Sequence, residues 1–316
     1  MFVLGIQRSG TTWLANILAQ HTATVAVQAE DHFGIHESIF FSHFASAYGD
    51  LADDGNFARF AADFTTSDYY LLTGLEPVWL AQRRPRTYAE AFRVVMDEMA
   101  AREGARLWIE KSPHHTLLAD ELEADFPDAR FVCITRNPEA VVASTLRMDD
   151  PRPPAYPARL GRVMKLAAKC SLYQGWLEEF CRTRASCALI RFERLASDPE
   201  AEVRRICKFL ELDFTETMLD LPWKRNTSYA PESRRRRLVD PWEEGVTRGV
   251  AASTRPLPLM WRRERELRRL KERGIEWPEW CWRRRDRDAE TPKPMPAQAA
   301  DAPRTDPHRS EATARG

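Results

Sequence analysis

The chain has 316 residues, of which 43% are apolar and 30% charged, with 47 basic and 47 acidic side chains. That length supports a sizeable buried core. The charge balance excludes a strongly basic nucleic-acid binder and an acidic solvating chain as readings of the whole protein. The longest stretch without Asp, Glu, Lys or Arg, residues 9–29, carries Thr11, Thr12, Asn16, Gln20, His21, Thr22, Thr24 and Gln28. It is too polar for a membrane span. Arg8 interrupts the only candidate signal-peptide core, and no basic segment precedes it. A cytoplasmic protein is therefore expected. The six cysteines form no C-x-x-C pair, and that spacing predicts buried reduced thiols rather than a disulfide framework or a zinc site.

Residues 2–6 are a short apolar run that ends in a glycine-bearing loop and read as a buried strand. Trp13, Leu14, Ile17 and Leu18 then recur at helical spacing, and residues 24–28 alternate as a second short strand. Residues 38–80 read as helices and loops rich in Phe, Tyr and Ala. Residues 87–102 form an amphipathic helix with Ala91, Phe92, Val95, Met96 and Met99 on one face. A short apolar segment at 107–109 ends in Glu110-Lys111-Ser112-Pro113, and a helix is expected over 116–125. Residues 130–135 (RFVCIT) form a continuous apolar run, the pattern of a central parallel strand. Pro138 opens the next helix at its first turn. A long helix over 159–182, a strand at 187–190 and a helix over 200–210 follow.

This alternation implies an α/β fold, a three-layer sandwich with a central, mainly parallel sheet flanked by helices. Residues 260–274 read as a charged helix with its arginines solvated or paired to Glu264, Glu266 and Glu272. Residues 1–285 are expected to form one domain. Residues 286–316, punctuated by proline and without Ile, Leu, Val, Phe, Tyr or Trp, are expected to be a disordered tail.

The most informative motif is Gly5-Ile6-Gln7-Arg8-Ser9-Gly10-Thr11-Thr12. Its G-x-x-x-x-G frame lies between a predicted strand and a predicted helix, the context of a phosphate-binding P-loop. Backbone N–H groups of such a loop, with the helix N-terminus, make an anion nest. Thr11 stands where a nucleotide hydrolase or kinase carries lysine, and the cation comes earlier, at Arg8. The usual lysine reaches the terminal phosphates of a magnesium-bound triphosphate, so its absence argues against that chemistry.

Gly-x-x-Arg-Ser-Gly-Thr-Thr-Trp-Leu resembles the phosphosulfate-binding loop of sulfotransferases that use 3′-phosphoadenosine 5′-phosphosulfate (PAPS). The resemblance implies that Arg8, Ser9, Gly10, Thr11, Thr12 and Trp13 bind the donor's 5′-phosphosulfate. A second segment, RFVCITRNPEAVVASTLR at 130–147, is similar to the family's strand–loop–helix that holds the 3′-phosphate. By that resemblance the 3′-phosphate contacts fall on Arg136 and Ser144. A guanidinium and a hydroxyl suit a phosphate on chemical grounds as well. The segment 190–199 resembles a further family element in which Phe192 replaces tyrosine, so any contact through that hydroxyl is lost. A late segment is expected to cover the nucleotide, with Ser228 as the candidate and Arg234 to Arg237 as another.

Sulfuryl transfer needs a base for the acceptor proton, a cation for the leaving phosphate oxygen and in-line positioning. The resemblance to the tyrosylprotein and carbohydrate branch places a catalytic glutamate near Glu30 and a lysine, in a Lys-x-Pro context, at Lys111. Arg8 is the second cation. His32, His36 and Glu37 stay open as alternative bases. The scheme requires no metal. The implied partners are PAPS and a hydroxyl or amine acceptor, with no nucleic acid.

Two other functions fit parts of the chain. A P-loop small-molecule kinase is opposed by Thr11. A nucleotide-responsive binding module could use the Arg-rich residues 260–287 on a polyanion, a reading that salt-dependent retention would favour.

Overall fold

The computed structural model describes residues 1–149, 156–221 and 240–284. Five parallel strands form the central sheet: β1 (Phe2–Leu4), β2 (Thr24–Ala26), β5 (Leu107–Lys111), β6 (Phe131–Thr135) and β7 (Cys187–Arg191), in the order β2-β5-β1-β6-β7. Two short strands, β3 (Gln28–Ala29) and β4 (Gly34–Ile35), pair antiparallel as a separate hairpin. The expected α/β architecture with a mainly parallel sheet is present.

β1 is buried along its whole length, as a strand covered on both faces must be. Its alternating side chains feed two cores. Phe2 and Leu4 join Phe131 and Cys133 in the core on one face, under the aromatic helices Asp54–Phe64 and Tyr88–Arg102. Val3 joins Val132, Ile134 and Ile190 on the other face, under the helices Thr11–Leu18 and Pro199–Leu210. These are the three layers. Several helix starts follow from local chemistry. Thr87 accepts a hydrogen bond from the Glu90 N–H, and Asp198 one from the Ala201 N–H just before Pro199.

Three features depart from the sequence reading. Residues 116–125 split into a 3-10 turn, Pro113–Leu118, and a helix, Ala119–Asp125. A helix over Pro241–Thr254 was not foreseen; it packs on the long helix Tyr156–Thr183. Cys133, Cys170, Cys207 and Cys281 are buried thiols as expected, but Cys181 and Cys187 are joined by a disulfide. The end of the long helix and the start of β7 bring their Cα atoms to 4.9 Å, close enough to bridge. The tail at 286–316 lies outside the described residues. No helix among the described residues is long and apolar enough to cross a membrane.

Most arginines of the charged helix Leu259–Arg273 that show contacts are engaged within the chain. Arg263 reaches Glu121 and the Leu117 carbonyl, Arg262 the Ala168 carbonyl, Arg269 Glu266 and Arg273 Glu276.

Candidate active site

β1 lies between β5 and β6, so the chain crosses to opposite sides of β1 at this point of the sheet. Ligands of open α/β sheets bind outside the carboxyl ends of the strands at such a switch point. The loops after β1, β5 and β6 converge there.

The loop after β1 is tightly wound. A Cβ on Gly5 would lie 2.7 Å from Ser9 Oγ and 2.8 Å from the Ile134 carbonyl oxygen, so only glycine fits. Gly10 has φ +99° and caps the helix Thr11–Leu18; a Cβ there would lie 2.6 Å from Phe192 Cδ2. Arg8 also has positive φ, +70°, a conformation uncommon for a residue with a side chain. Ser9 is fully buried and donates from Oγ to the Ile6 carbonyl at 2.7 Å. Thr116, from beyond β5, bonds both the N–H and the carbonyl of Gly5 at 3.0 Å.

The second segment meets this loop directly. Arg8 Nε donates to Ser144 Oγ at 3.0 Å. Arg136 Nη1 donates to the Arg8 carbonyl at 3.0 Å, and its guanidinium lies 4.0 Å from the centre of the Phe192 ring. Trp13 packs edge-on to the same ring, 5.7 Å away. Gln174 holds the Arg136 carbonyl, and the Asn137 N–H donates to Glu193 at 2.8 Å. Thus Arg8, Ser9, Gly10, Thr11, Thr12, Trp13, Arg136 and Ser144 form one cluster at the sheet edge. Ser228 and Arg234 to Arg237 lie outside the described residues.

Lys111 ends β5, is almost fully buried, and donates to Glu37 Oε1 at 3.0 Å. The structure does not bring Glu30 to it. Glu30 begins an exposed 3-10 turn, Glu30–His32, at the tip of the β3–β4 hairpin. Among the described residues its side chain makes no hydrogen bond or ion pair. The reason is local. The chain turns back through Phe33 (φ +55°), and Asn16 pins the return by bonding the Phe33 carbonyl at 2.8 Å and the Ile35 N–H at 3.0 Å. The carboxylate delivered to Lys111 is therefore the one after the hairpin, Glu37.

Histidines surround Glu37. Gln7, in the loop after β1, bonds His114 Nε2 at 3.2 Å, and His114 Nδ1 lies 4.0 Å from Glu37 Oε2. His36 Nδ1 bonds the Glu37 carbonyl at 2.9 Å, which puts the ring proton on Nδ1. The His32 and His36 rings lie 3.8 Å apart. Burial holds both imidazoles below their ordinary pKa, His36 well below; His114 is lowered for the same reason, and His43 is pushed down to about 4. They are neutral at pH 7.

Glu110, adjacent to Lys111, is not a surface partner. It is fully buried, accepts from Ser38 Oγ at 2.7 Å, and has His115 Nδ1 3.2 Å away. The Phe41 N–H donates to His115 Nε2, which leaves the ring proton on Nδ1 facing Glu110. Burial alone would raise the Glu110 pKa; His115, Ser112 and Ser38 hold it below the usual carboxylate value. This pair fixes the loop that carries Lys111 and His114. Gln7, His114, His115 and Thr116 were missed by sequence reasoning. The adjacent histidines after Lys111-Ser112-Pro113 were the visible signal.

Among the described residues the sulfurs of Cys133, Cys181 and Cys187 lie within 4.8 Å of one another, but the Cys181–Cys187 bridge leaves Cys133 as the one thiol of the three. The cluster sits toward the amino ends of β6 and β7, away from this edge of the sheet.

A tightly wound loop carrying Arg8, with Arg136 against it, thus lies at the switch point of a parallel sheet. A family model described as "Sulfotransferase family" matches residues 1–216, and the chain belongs to that family. The nodulation protein NoeE of Sinorhizobium fredii (strain NBRC 101917 / NGR234) is 24% identical over 226 residues, which are 67% of this chain and 50% of NoeE. The chain thus spans half the length of that curated relative. Two solved structures are also similar. The sulfotransferase domain of the Synechococcus PCC 7002 olefin synthase is 20% identical, with TM-score 0.47, covering 88% of this chain and 94% of that domain. Mouse sulfotransferase SULT7A1, complexed with PAP, is 12% identical, with TM-score 0.44, covering 86% of this chain and 87% of that one.

Proposed function

We propose that this chain transfers a sulfuryl group from PAPS to a hydroxyl or amine acceptor. The observation that carries the reading is the contact of Arg8 with Ser144 and Arg136. It joins the two segments that resemble donor-binding elements into one cationic, hydrogen-bonding surface beside the helix N-terminus. Charge-assisted hydrogen bonds from guanidinium groups suit a ligand with a phosphate at each end. Arg8 and the N–H groups of residues 10–13 take the 5′-phosphosulfate, the Ser9 N–H being held by the Ile6 carbonyl. Arg136 and Ser144 take the 3′-phosphate.

Glu37 replaces Glu30 as the base in this reading. The acceptor oxygen attacks sulfur as its proton passes to Glu37, the bond from sulfur to the 5′-phosphate oxygen breaks, and adenosine 3′,5′-bisphosphate leaves. Lys111 and Arg8 stabilise the charge that develops on the departing phosphate. Lys111 also fixes Glu37 through their ion pair. Positioning and fixed charge supply the catalysis, as in phosphoryl transfer.

Calorimetric titration tests the donor. Metal-independent binding of adenosine 3′,5′-bisphosphate, with no response to magnesium ATP, is expected. Binding of magnesium ATP without the bisphosphate would instead favour a kinase.

A further inference from the structure

The residues after the family-matched region return to the candidate site. Residues 275–284 lie over the histidines beside Glu37. Trp280 sits edge-on to His32 and His36, with ring centres 5.3 and 5.0 Å away. Trp277 lies 5.6 Å from His43, which in turn lies 5.4 Å from His114. Trp282 donates to the Asp63 carbonyl at 3.3 Å and packs 4.8 Å from Trp277.

The end of this strap is pinned by Arg284. Its backbone N–H and Nη1 reach the carboxylate of Asp68 at 2.7 and 2.8 Å, and its Nη2 reaches Asp31 at 3.1 Å. Asp68 is fully buried, so losing Arg284 would leave an uncompensated charge. Beneath the strap, His32 Nε2, His36 Nε2 and His114 Nδ1 are buried without a hydrogen-bond partner among the described residues. Unsatisfied buried nitrogens are costly unless a bound group meets them, so this floor is suited to receive a polar ligand.

We propose that this strap is the acceptor-side wall of the site, with Trp277 and Trp280 as positioning residues that keep water from the bound donor. The proposal rests on the donor reading above. A sulfuryl donor beside a carboxylate base is exposed to a side reaction. Water attacks sulfur, its proton passes to Glu37, the bond to the 5′-phosphate breaks, and hydrogen sulfate and the bisphosphate leave. Excluding water suppresses this loss.

The test uses the full chain, sulfur-labelled PAPS and no acceptor. Arg284→Gln, which unpins the strap, and Trp280→Ala, which opens it locally, are each expected to raise sulfate release on the order of tenfold, because closure is what excludes water. Calorimetry is expected to show unchanged bisphosphate affinity in both. A merely structural role would lower turnover, not raise it. Unchanged or reduced hydrolysis in both variants, with binding intact, overturns the wall. Loss of bisphosphate binding in the variants alone reassigns the strap to the donor side and also overturns it. Failure of the parent chain to bind the bisphosphate removes the donor reading and the wall together.

Discussion

Arg8, Ser144 and Arg136 meet because β1 and β6 are neighbours in one sheet, in register from Phe2 opposite Phe131 to Leu4 opposite Cys133. Glu37 approaches His114, and the neighbouring His36 packs on Trp280, through a hairpin, a turn after β5 and the strap at 275–284. No sheet register relates those three elements. The first half of the site inherits its geometry from backbone hydrogen bonds and two glycines that tolerate no side chain. The second depends on side-chain packing around neutral imidazoles. Substitutions should therefore separate the two halves: one set acting on donor affinity, the other on turnover.

The largest separation is expected at Glu37. Glu37→Gln should lower kcat by roughly 10²- to 10⁴-fold, the usual contribution of a general base, with bisphosphate affinity unchanged. Glu30→Gln should stay within about twofold, as expected for an exposed side chain that is not paired with Lys111. Steady-state rates of the two variants decide between them, and the opposite ranking would return the base to Glu30.

On the donor side, Arg136→Ala should weaken bisphosphate binding by about 10- to 100-fold, the loss of a hydrogen bond to a charged group. Calorimetry reads this directly, and a change under twofold would remove Arg136 from the donor contacts.

Gly10→Ala should cost about 1–3 kcal/mol of stability, since positive φ and overpacking against Phe192 add. Urea unfolding measures it. In a Phe192→Ala background the same substitution should cost only the backbone share; no cost there would mean that the backbone at Gly10 carries no strain.

The imidazole cluster gives the smallest effect, read as pH dependence. Burial lowers the native pKa of His43 from 6.5 to about 4. The unfolded chain thus binds more protons between these values, and stability falls as pH drops from 6.5 toward 4. Thermal unfolding followed across this window should show the fall, and His43→Leu should make it shallower, the rest belonging to His32, His36 and His114. An unchanged slope would place the titration elsewhere.

Much of this organisation was legible in the sequence. The apolar runs of β1 and β6 are covered on both faces, so burial writes itself into consecutive residues. The glycines and Arg8 lie within eight positions of one another, where local sterics decide the fold of the loop. Arg136 and Ser144 follow their strand at fixed helical spacing. Which carboxylate faces Lys111 was not legible: Glu30 and Glu37 are seven positions apart, and the turn at Phe33, held by Asn16, decides between them. The strap was hidden for the same reason. Trp277 sits in no regular element and Trp280 in a single 3-10 turn, Glu279–Trp282, and their contacts lie more than 200 residues upstream, as the 219-residue separation of Trp282 from Asp63 illustrates. The Cys181–Cys187 bridge likewise needs the helix end and β7 to be placed first.

The central claim is that one half of this site binds the donor and the other does the chemistry. The most direct test is a single calorimetric series with adenosine 3′,5′-bisphosphate on the parent chain, Arg136→Ala and Glu37→Gln, without metal. The account predicts binding to the parent chain and to Glu37→Gln with matching affinity, and binding weakened about 10- to 100-fold in Arg136→Ala. Equal weakening in both variants, or binding that survives only in Arg136→Ala, would contradict it.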